Sequence, residues 1–481
     1  MKIYKSTQFA LGLILIAVLF SNCRKDEQLY DKSDAKLSFS HEIVAFDTVF
    51  STITTATRQL MVYNPYNKAI NISSISLAGG TQSPYSINVD GKAGVRFSNV
   101  EIRSKDSLYI FIQVNINPSN QNNPFLITDS IVFNTNGNIQ DVDLLAFGQD
   151  ANFIVADTYR QGLPPYKIVS NAGETAIWDN SKPYVIYGYA VIDSAASLQI
   201  QAGSRIYLHK NSGIWVYQGG NIQVNGTKEQ PVLFRGDRPE EWYSDAAGQW
   251  DRIWINEGSQ DNVIKHAVIR NAFIGIQAET LEKPMGNKLI LENTEIRNAS
   301  GIGLFSRNYS IDATNNVIVN CGQYCVALTY GGTYSFIHNT IANFWSGSIR
   351  QTPAFYFNNY LVSNNTAIAN NLTLTFANSI VYGNNINEFE MDTIPQSNVQ
   401  YLFDHNILKT AYFFSNNSAF VNCKQNVNPL FKDYANYNFE LSTSSPAIDA
   451  GNTLYIPFAP NDKNEVPRMG NPDMGAFEFS R

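Results

Sequence analysis

"IRNASGIGL", residues 296–304, places an aliphatic, a charge and an asparagine ahead of a small-residue turn and a second aliphatic run. The phrase returns as "IRNAFIGIQ" at 269–277, "IVNCGQYCV" at 318–326 and "IANFWSGSI" at 341–349. The copies align at His266, Asn293, Asn315, His338, Asn378 and His405, in steps of 27, 22, 23, 40 and 27 residues. Three residues on stand Ile269, Ile296, Ile318, Ile341, Val381 and Leu408; five on stand Asn271, Asn298, Asn320, Asn343, Gly383 and Thr410. A repeat of this length, built from short strands and tight turns, predicts a parallel β-solenoid. Alternate residues of a strand face one way, so the aliphatic at the third position is expected in the lumen, stacked on its copies. Its burial contributes about 1.5–3 kcal/mol per rung. The asparagine at the fifth position is expected where the strand turns, left-handed and hydrogen-bonded to its copies in a ladder. The 40-residue step hides a further coil or a long loop.

Composition agrees with an all-β chain. The sequence has 481 residues, 44% hydrophobic and 13% aromatic, with Phe 29 and Tyr 26 against Met 6, a bias toward strands. That length predicts more than one domain. From 37 to 150, short alternating runs such as "RQLMVYNP", "YSINVDG" and "DSIVFNTNG" are separated by turn signals (Asn64-Pro65, Gly79-Gly80, Asp90-Gly91, Asn136-Gly137). They predict a β-sandwich. "MVYNPYNKAINISSISL" and "DSLYIFIQVNINPS" resemble the Ig-like domains of the abnormal-spindle/hydin type, which serve as spacers or binding modules. Residues 151–169, with Pro164-Pro165, are expected as a linker and 170–443 as the solenoid. The passages at 190–237 and 249–277 resemble the right-handed parallel β-helix proteins of the pectin-lyase-like superfold. The fold class expected is therefore all-β, an Ig-like sandwich followed by a right-handed parallel β-helix. Residues 444–481, with "SSPAIDAGNT" and "EVPRMGNPDMGAFEF", are expected to close the open end of the solenoid, Arg468 pairing with Asp473 or Glu478.

The N-terminus reads as an address. Lys2 and Lys5 precede the short apolar run "FALGLILIAVLF", a signal peptide over 1–22 rather than a membrane span. "LFSNC" resembles a bacterial lipobox, which implies acylation of Cys23 and stable membrane anchoring. Residues 23–36 are expected as a tether. Within them Lys25, Asp26 and Glu27 resemble the export tag of Bacteroidetes-type surface lipoproteins, implying an outer-membrane lipoprotein exposed at the cell surface. The formal net charge is −7 with no basic run, so nucleic acid is not an expected partner. Cys321, Cys325 and Cys423 remain after lipidation; a clip between the first two and two packed thiols are both open readings.

The chemistry is harder to find. Polygalacturonase-like enzymes of the resembling superfold use clustered Asp with G-H-G and R-I-K stretches, which are absent from this sequence. The outward positions of the aligned strands read Val268/Arg270, Glu295/Arg297, Val317/Val319 and Thr340/Ala342. Glu295, Arg270 and Arg297 are thus weak catalytic candidates, read more simply as a surface ion cluster. His266 and His338 fall three rungs apart, about 14 Å, too far to share a zinc needing nitrogens at about 2.0–2.1 Å. No metal or cofactor is expected. The segment 235–258 departs from the repeat and groups Trp242, Tyr243, Trp250 and Trp254 with Glu240, Glu241, Asp245 and Asp251. Aromatic faces beside carboxylates suit sugar rings, so Trp242, Tyr243, Trp250, Glu240, Glu241, Asp245 and Asp251 are candidate ligand-binding residues. Trp254, between Ile253 and Ile255, is expected to be buried. Five Asp-Ser/Thr triplets, at Asp47, Asp106, Asp129, Asp193 and Asp392, resemble an O-glycosylation sequon or are ordinary turns. The function expected is a non-catalytic surface protein binding a glycan or an outer-membrane partner protein. A polysaccharide lyase or glycoside hydrolase, and an accessory subunit of an outer-membrane complex, are the alternatives.

Overall fold

The computed structural model describes residues 28–50, 57–114, 125–149, 151–238, 243–281, 288–412, 414 and 417–480. Cys23, Lys25, Asp26 and Glu27 lie outside them, as do Glu240, Glu241 and Trp242. The chain divides into two units, Met1–Gln149 and Asp150–Arg481.

In the first unit, alternating apolar residues build two five-stranded sheets around one core that includes Leu60, Ile72, Ile110, Ile112 and Phe133. The expected tether is ordered against this unit from about residue 29. Tyr30 stacks on Tyr66 with centroids 3.9 Å apart, and Ala35 is fully buried. An aromatic and a small apolar residue at these positions give the segment something to bury, which a solvated tether lacks.

The second unit is a parallel β-helix. One sheet, here sheet A, takes one strand from each coil, eleven among the described residues. The strands of the other two faces, sheets B and C, alternate along the chain and run together into one ribbon, seventeen-stranded among the described residues. Sheet B includes Tyr189–Ile192, Gly213–Val216, Ile253–Ile255 and Ile274–Glu279; sheet C includes Ser197–Gln201, Asn221–Asn225, Asn262–Lys265 and Lys288–Glu292. Residues 151–169, expected as a linker, instead contain two strands of the first coil. Asn152–Val155 pairs with Tyr184–Tyr187 and Tyr166–Ser170 with Tyr189–Ile192, because each carries apolar residues that complete the lumen. The 40-residue step holds no further coil: Thr340–Asn343 pairs directly with Ile380–Gly383, and the excess forms a hairpin, Tyr360–Ser363 with Thr366–Ala369.

The repeat register is the one the aliphatics imply. Ile269, Ile296, Ile318, Ile341, Val381 and Leu408 follow one another as Cα partners in sheet A, all with no exposed surface. The aligned positions His266, Asn293, Asn315, His338, Asn378 and His405 are left-handed, with φ between 46° and 55°, which short polar side chains tolerate best. The histidines bridge rungs, as in His338 Nε2 to Asn378 Nδ2 at 3.0 Å.

The hydrogen-bond ladder stands in a different column from the one expected. It runs one residue past the left-handed position, through Thr294, Asn316, Asn339, Ser379 and Asn406. The Thr294 amide donates to Asn316 Oδ1 at 2.9 Å, Asn316 to Asn339 Oδ1 at 3.0 Å, Asn339 to Ser379 Oγ at 2.9 Å, and Ser379 to Asn406 Oδ1 at 2.8 Å. Asn271, Asn298 and Asn320 are left-handed, but they do not bond their own copies. Asn271 and Asn298 turn toward flanking segments, while Asn320 Oδ1 accepts from the Phe344 amide at 3.0 Å and Asn343 Oδ1 from the Cys321 amide at 3.2 Å on neighbouring rungs. Asn298 Nδ2 reaches the Tyr437 hydroxyl at 2.8 Å and Asp245 Oδ1 at 3.3 Å.

The C-terminal segment also departs from expectation. It lies along the outer face of sheet A instead of closing the open end. Phe439 and Ala476 pack on Val317, Val319 and Ala342; Leu441, Ala447 and Met474 pack on Ile380 and Ile407. From these rungs on, the outward residues of sheet A are apolar and require cover. Arg468 pairs with Glu478 and donates to Asn315 Oδ1 at 2.9 Å. The last coils are filled by a stack of rings, Phe414 on Phe420 at 4.6 Å and Phe420 on Phe403 at 4.7 Å. Cys321 and Cys325 are both fully buried and unpaired in the lumen; burial pushes the Cys325 thiol well above its ordinary value.

Candidate functional site

A solenoid offers three outer faces. Sheet C carries exposed polar residues tied across neighbouring rungs by ordinary surface pairs, Lys265 with Glu292 at 2.8 Å and Lys288 with Asp312. Much of sheet A lies under the C-terminal segment. Sheet B combines accessible aromatic rings, Tyr217 and Phe273, with a line of charged groups.

Its geometry follows from alternation. In "GIWVYQ" Ile214 and Val216 enter the lumen with no exposed surface, so Trp215 and Tyr217 lie on the outer side of the sheet, Trp215 only 6% exposed in a cluster with Tyr166, Tyr189 and Val191. In "RIWINE" Ile253 and Ile255 do the same, which turns Trp254 out. Trp254 is therefore not a core residue, contrary to expectation: it is half-buried on the outer face. Register pairs it with Trp215 on the previous rung, their rings stacked at 5.1 Å and 15°. Tyr217, 38% exposed, meets Trp215 edge-on at 5.7 Å. Phe273, 46% exposed, lies beneath the Arg252 guanidinium at 5.7 Å from its ring centroid.

A hydrogen-bonded chain of polar groups runs beside these rings. The Tyr189 hydroxyl donates to Asp251 Oδ2, and Arg252 holds Asp251 Oδ1 at 2.9 Å. Arg252 also donates to Gln277 Oε1, and Gln277 Nε2 to Glu279 Oε2 at 2.9 Å. Trp254 Nε1 donates to Glu279 Oε1 at 2.7 Å, and Arg307 stands 3.7 Å from that carboxylate's other oxygen. Burial, reinforced by Asp251, pushes the Tyr189 hydroxyl far above its ordinary value, so it stays a donor. The residues come from consecutive rungs, spaced about 4.8 Å. The arrangement offers stacking surfaces and fixed donors and acceptors along one line. Both carboxylates already accept from two side chains, which fixes their orientation.

Of the seven candidate ligand-binding residues, the structure brings Asp251 to this face. Trp250 is removed from the group: it is 1% exposed inside the lumen, where its Nε1 donates to the Arg270 carbonyl at 2.9 Å. Tyr243 and Asp245 stand at the opposite end of the same segment, beside sheet A, where Arg238 lies 4.2 Å over the Tyr243 ring. Glu295, Arg270 and Arg297 are also on the outer face of sheet A, with Glu295 and Arg297 paired at 2.9 Å. Segment 235–258 thus serves two faces. Trp215, Gln277, Glu279 and Arg307 were missed from the sequence; extending the lumen alternation to each strand and reading off the intervening side chains would have found them.

Comparison with known proteins places the fold. A family model described as a pectate-lyase-like beta helix domain matches residues 170–267. No curated protein matches the sequence. Among solved structures, the chain is similar to a protein of unknown function from Porphyromonas gingivalis W83, at 13% identity over 29% of this chain and 59% of that one, TM-score 0.17. It is similar to a family 123 glycoside hydrolase from Clostridium perfringens at 9% identity, covering 30% of each chain, TM-score 0.18. The catalytic unit of a thermostable GH87 alpha-1,3-glucanase from Streptomyces thermodiastaticus strain HF3-3 overlaps at 10% identity over 76% of this chain and 66% of that one, TM-score 0.25. The chain spans less than two thirds of each of these three proteins. None of these overlaps bears on chemistry.

Proposed function

We propose that this chain is a lipid-anchored surface protein, held by Cys23 at the outer membrane, that binds a glycan along the outer face of sheet B without cleaving it. The observation that carries the reading is the aromatic surface of exposed Tyr217 and half-buried Trp254, both packed on the nearly buried Trp215, beside the Asp251–Arg252–Gln277–Glu279 chain. Sugar rings present apolar C–H faces and a rim of hydroxyls. Aromatic faces take the first, and side chains locked by mutual hydrogen bonds take the second at little further entropic cost. A binding role suits carboxylates committed to neighbours on both oxygens better than proton transfer does, since a general acid or base needs reach to the scissile bond.

Affinity electrophoresis through gels containing soluble polysaccharides tests this. Tyr217→Ala should weaken retardation by about tenfold in Kd, in the range of one aromatic contact, with the melting temperature unchanged. Retardation equal to wild type would remove the face from consideration. Release of reducing ends or unsaturated uronate by wild type, abolished in Glu279→Gln, would transfer the site to the enzyme reading.

A further inference from the structure

The outer face of sheet A holds a column of like charges. Arg270 is the register partner of Arg297. Arg235, one residue past the Phe234–Ile269 pair, completes the column on the preceding rung. At a spacing of about 4.8 Å such guanidiniums repel one another, and each needs its own acid. Only one has it. Arg297 pairs with Glu295 at 2.9 Å and lies over the Tyr437 ring at 4.2 Å. Arg235 donates to the Arg238 carbonyl at 2.9 Å. The half-buried guanidinium of Arg270 has no hydrogen bond or ion pair with any described residue, and Asp245 and Glu295 act on it only at a distance. The Nε atoms of all three arginines are buried without an acceptor among the described residues. Glu295 also attracts Lys463, brought in by the C-terminal segment, so one carboxylate serves several cations. Burial first, and the flanking arginines second, push the Arg270 pKa below its ordinary value, as expected where a counter-charge is missing.

We propose that the Arg235–Arg270–Arg297 column is a binding site for an oxyanion: a sulfate, phosphate or carboxylate group, either free or carried on an acidic glycan. Planar guanidiniums with free N–H groups match such oxygens bidentately, which ammonium groups do not. The site sits between the 243–250 segment and Tyr437, which Asn298 ties together through Asp245 and the Tyr437 hydroxyl. Solvent reaches it only in part, the side chains of Arg297 and Glu295 being 17% and 23% exposed. It lies on a different sheet from the aromatic face and stands independently of it.

The test follows thermal melts of the full chain in mild detergent, titrated with sodium sulfate or sodium phosphate against sodium chloride at matched ionic strength. Wild type should gain stability with sulfate or phosphate beyond chloride. Arg270→Met, which keeps the methylenes and removes the charge, should lose that gain, with an apparent Kd at least tenfold higher; Arg270→Lys should fall between. Arg235→Met serves as the second variant should Arg270→Met not fold. Tyr217→Ala should leave the anion response intact. Dextran sulfate against dextran separates the sources. Tighter binding of the sulfated polymer than of inorganic sulfate assigns a glycan ligand, and equal or weaker binding assigns a free ion. An equal response to chloride, or an undiminished response in Arg270→Met and Arg235→Met, overturns the proposal.

Discussion

The two asparagine columns of the solenoid predict very different costs of mutation. Asn339, fully buried, makes four hydrogen bonds: its Oδ1 accepts from the Asn316 amide and from Asn316 Nδ2, both at 3.0 Å, and its Nδ2 donates to the carbonyls of Ala313 at 2.9 Å and Ile337 at 3.1 Å. Asn339→Ala strands the Asn316 N–H and strips two buried carbonyls of a donor. One unpaired buried donor costs about 1–3 kcal/mol and each lost bond about 1, for a total of about 3–5 kcal/mol. Asn339→Ser should recover about half, because a hydroxyl can accept from the Asn316 amide as Ser379 accepts from Asn339 itself. Asn298→Gly removes only the bonds to half-buried Tyr437 and exposed Asp245, partners that water can reach although Asn298 itself is buried, and should cost about 1 kcal/mol. Glycine is the right probe there because φ is 55°. Tryptophan fluorescence in urea reads the solenoid alone, since Trp178, Trp215, Trp242, Trp250, Trp254 and Trp345 all follow residue 149. A loss in Asn298→Gly equal to or larger than that in Asn339→Ala would refute the placement of the ladder.

Three further outcomes are expected. Burial and then the Arg468 guanidinium hold His338 well below its ordinary pKa; the unfolded chain therefore takes up the proton first, and stability falls as pH drops from about 6.5 toward the depressed value. His338→Asn, the residue already present at Asn315 and Asn378, should flatten that part of the melting-temperature profile, and an unchanged slope would assign the acid sensitivity elsewhere. Ile296→Asp buries an unpaired charge in the lumen, costing several kcal/mol, so circular dichroism should show its solenoid melting far below wild type. Cys23→Ser should move the chain out of the carbonate-resistant membrane fraction, and its retention there would end the lipid-anchor reading.

How much of this was legible in the sequence depends on which side of a strand a residue faces. The lumen was legible because its residues repeat: an aliphatic on every rung in one column leaves a periodic trace, from Ile269 to Leu408. The left-handed turns were legible for the same reason. The ladder was assigned to the wrong column because Asn recurs at both places. At the fifth position it is nearly uniform, as Asn271, Asn298, Asn320 and Asn343. The true ladder mixes Thr294, Asn316, Asn339, Ser379 and Asn406, which share an accepting oxygen but not a letter. The C-terminal segment was misplaced for a comparable reason. What it covers, Val317, Val319, Ala342 and Ile380, alternates with the lumen residues Ile318, Ile341 and Val381, so these strands are apolar on both faces and their pattern does not say what covers the outer one.

The outer face was the least legible part, and Trp254 shows why. Crowding of aromatics and acids drew attention to segment 235–258 as one cluster, whereas the fold separates its members. Trp250 enters the lumen, Tyr243 lies by sheet A, and Asp251 and Trp254 go to sheet B. Density along the chain is a poor guide in a solenoid, because neighbours on a face are one coil apart in sequence: 39 residues separate Trp215 from its partner Trp254, and 25 separate Trp254 from Glu279. The lumen residues carry the needed correction. Once Ile253 and Ile255 are placed inside, pleat geometry leaves Trp254 no choice but to face outward. The same step applied to Ile269 and Ile296 turns Arg270 and Arg297 out, one above the other. Both proposed sites are therefore consequences of the register that the aliphatics set, and a rung slip of one residue would dissolve them together.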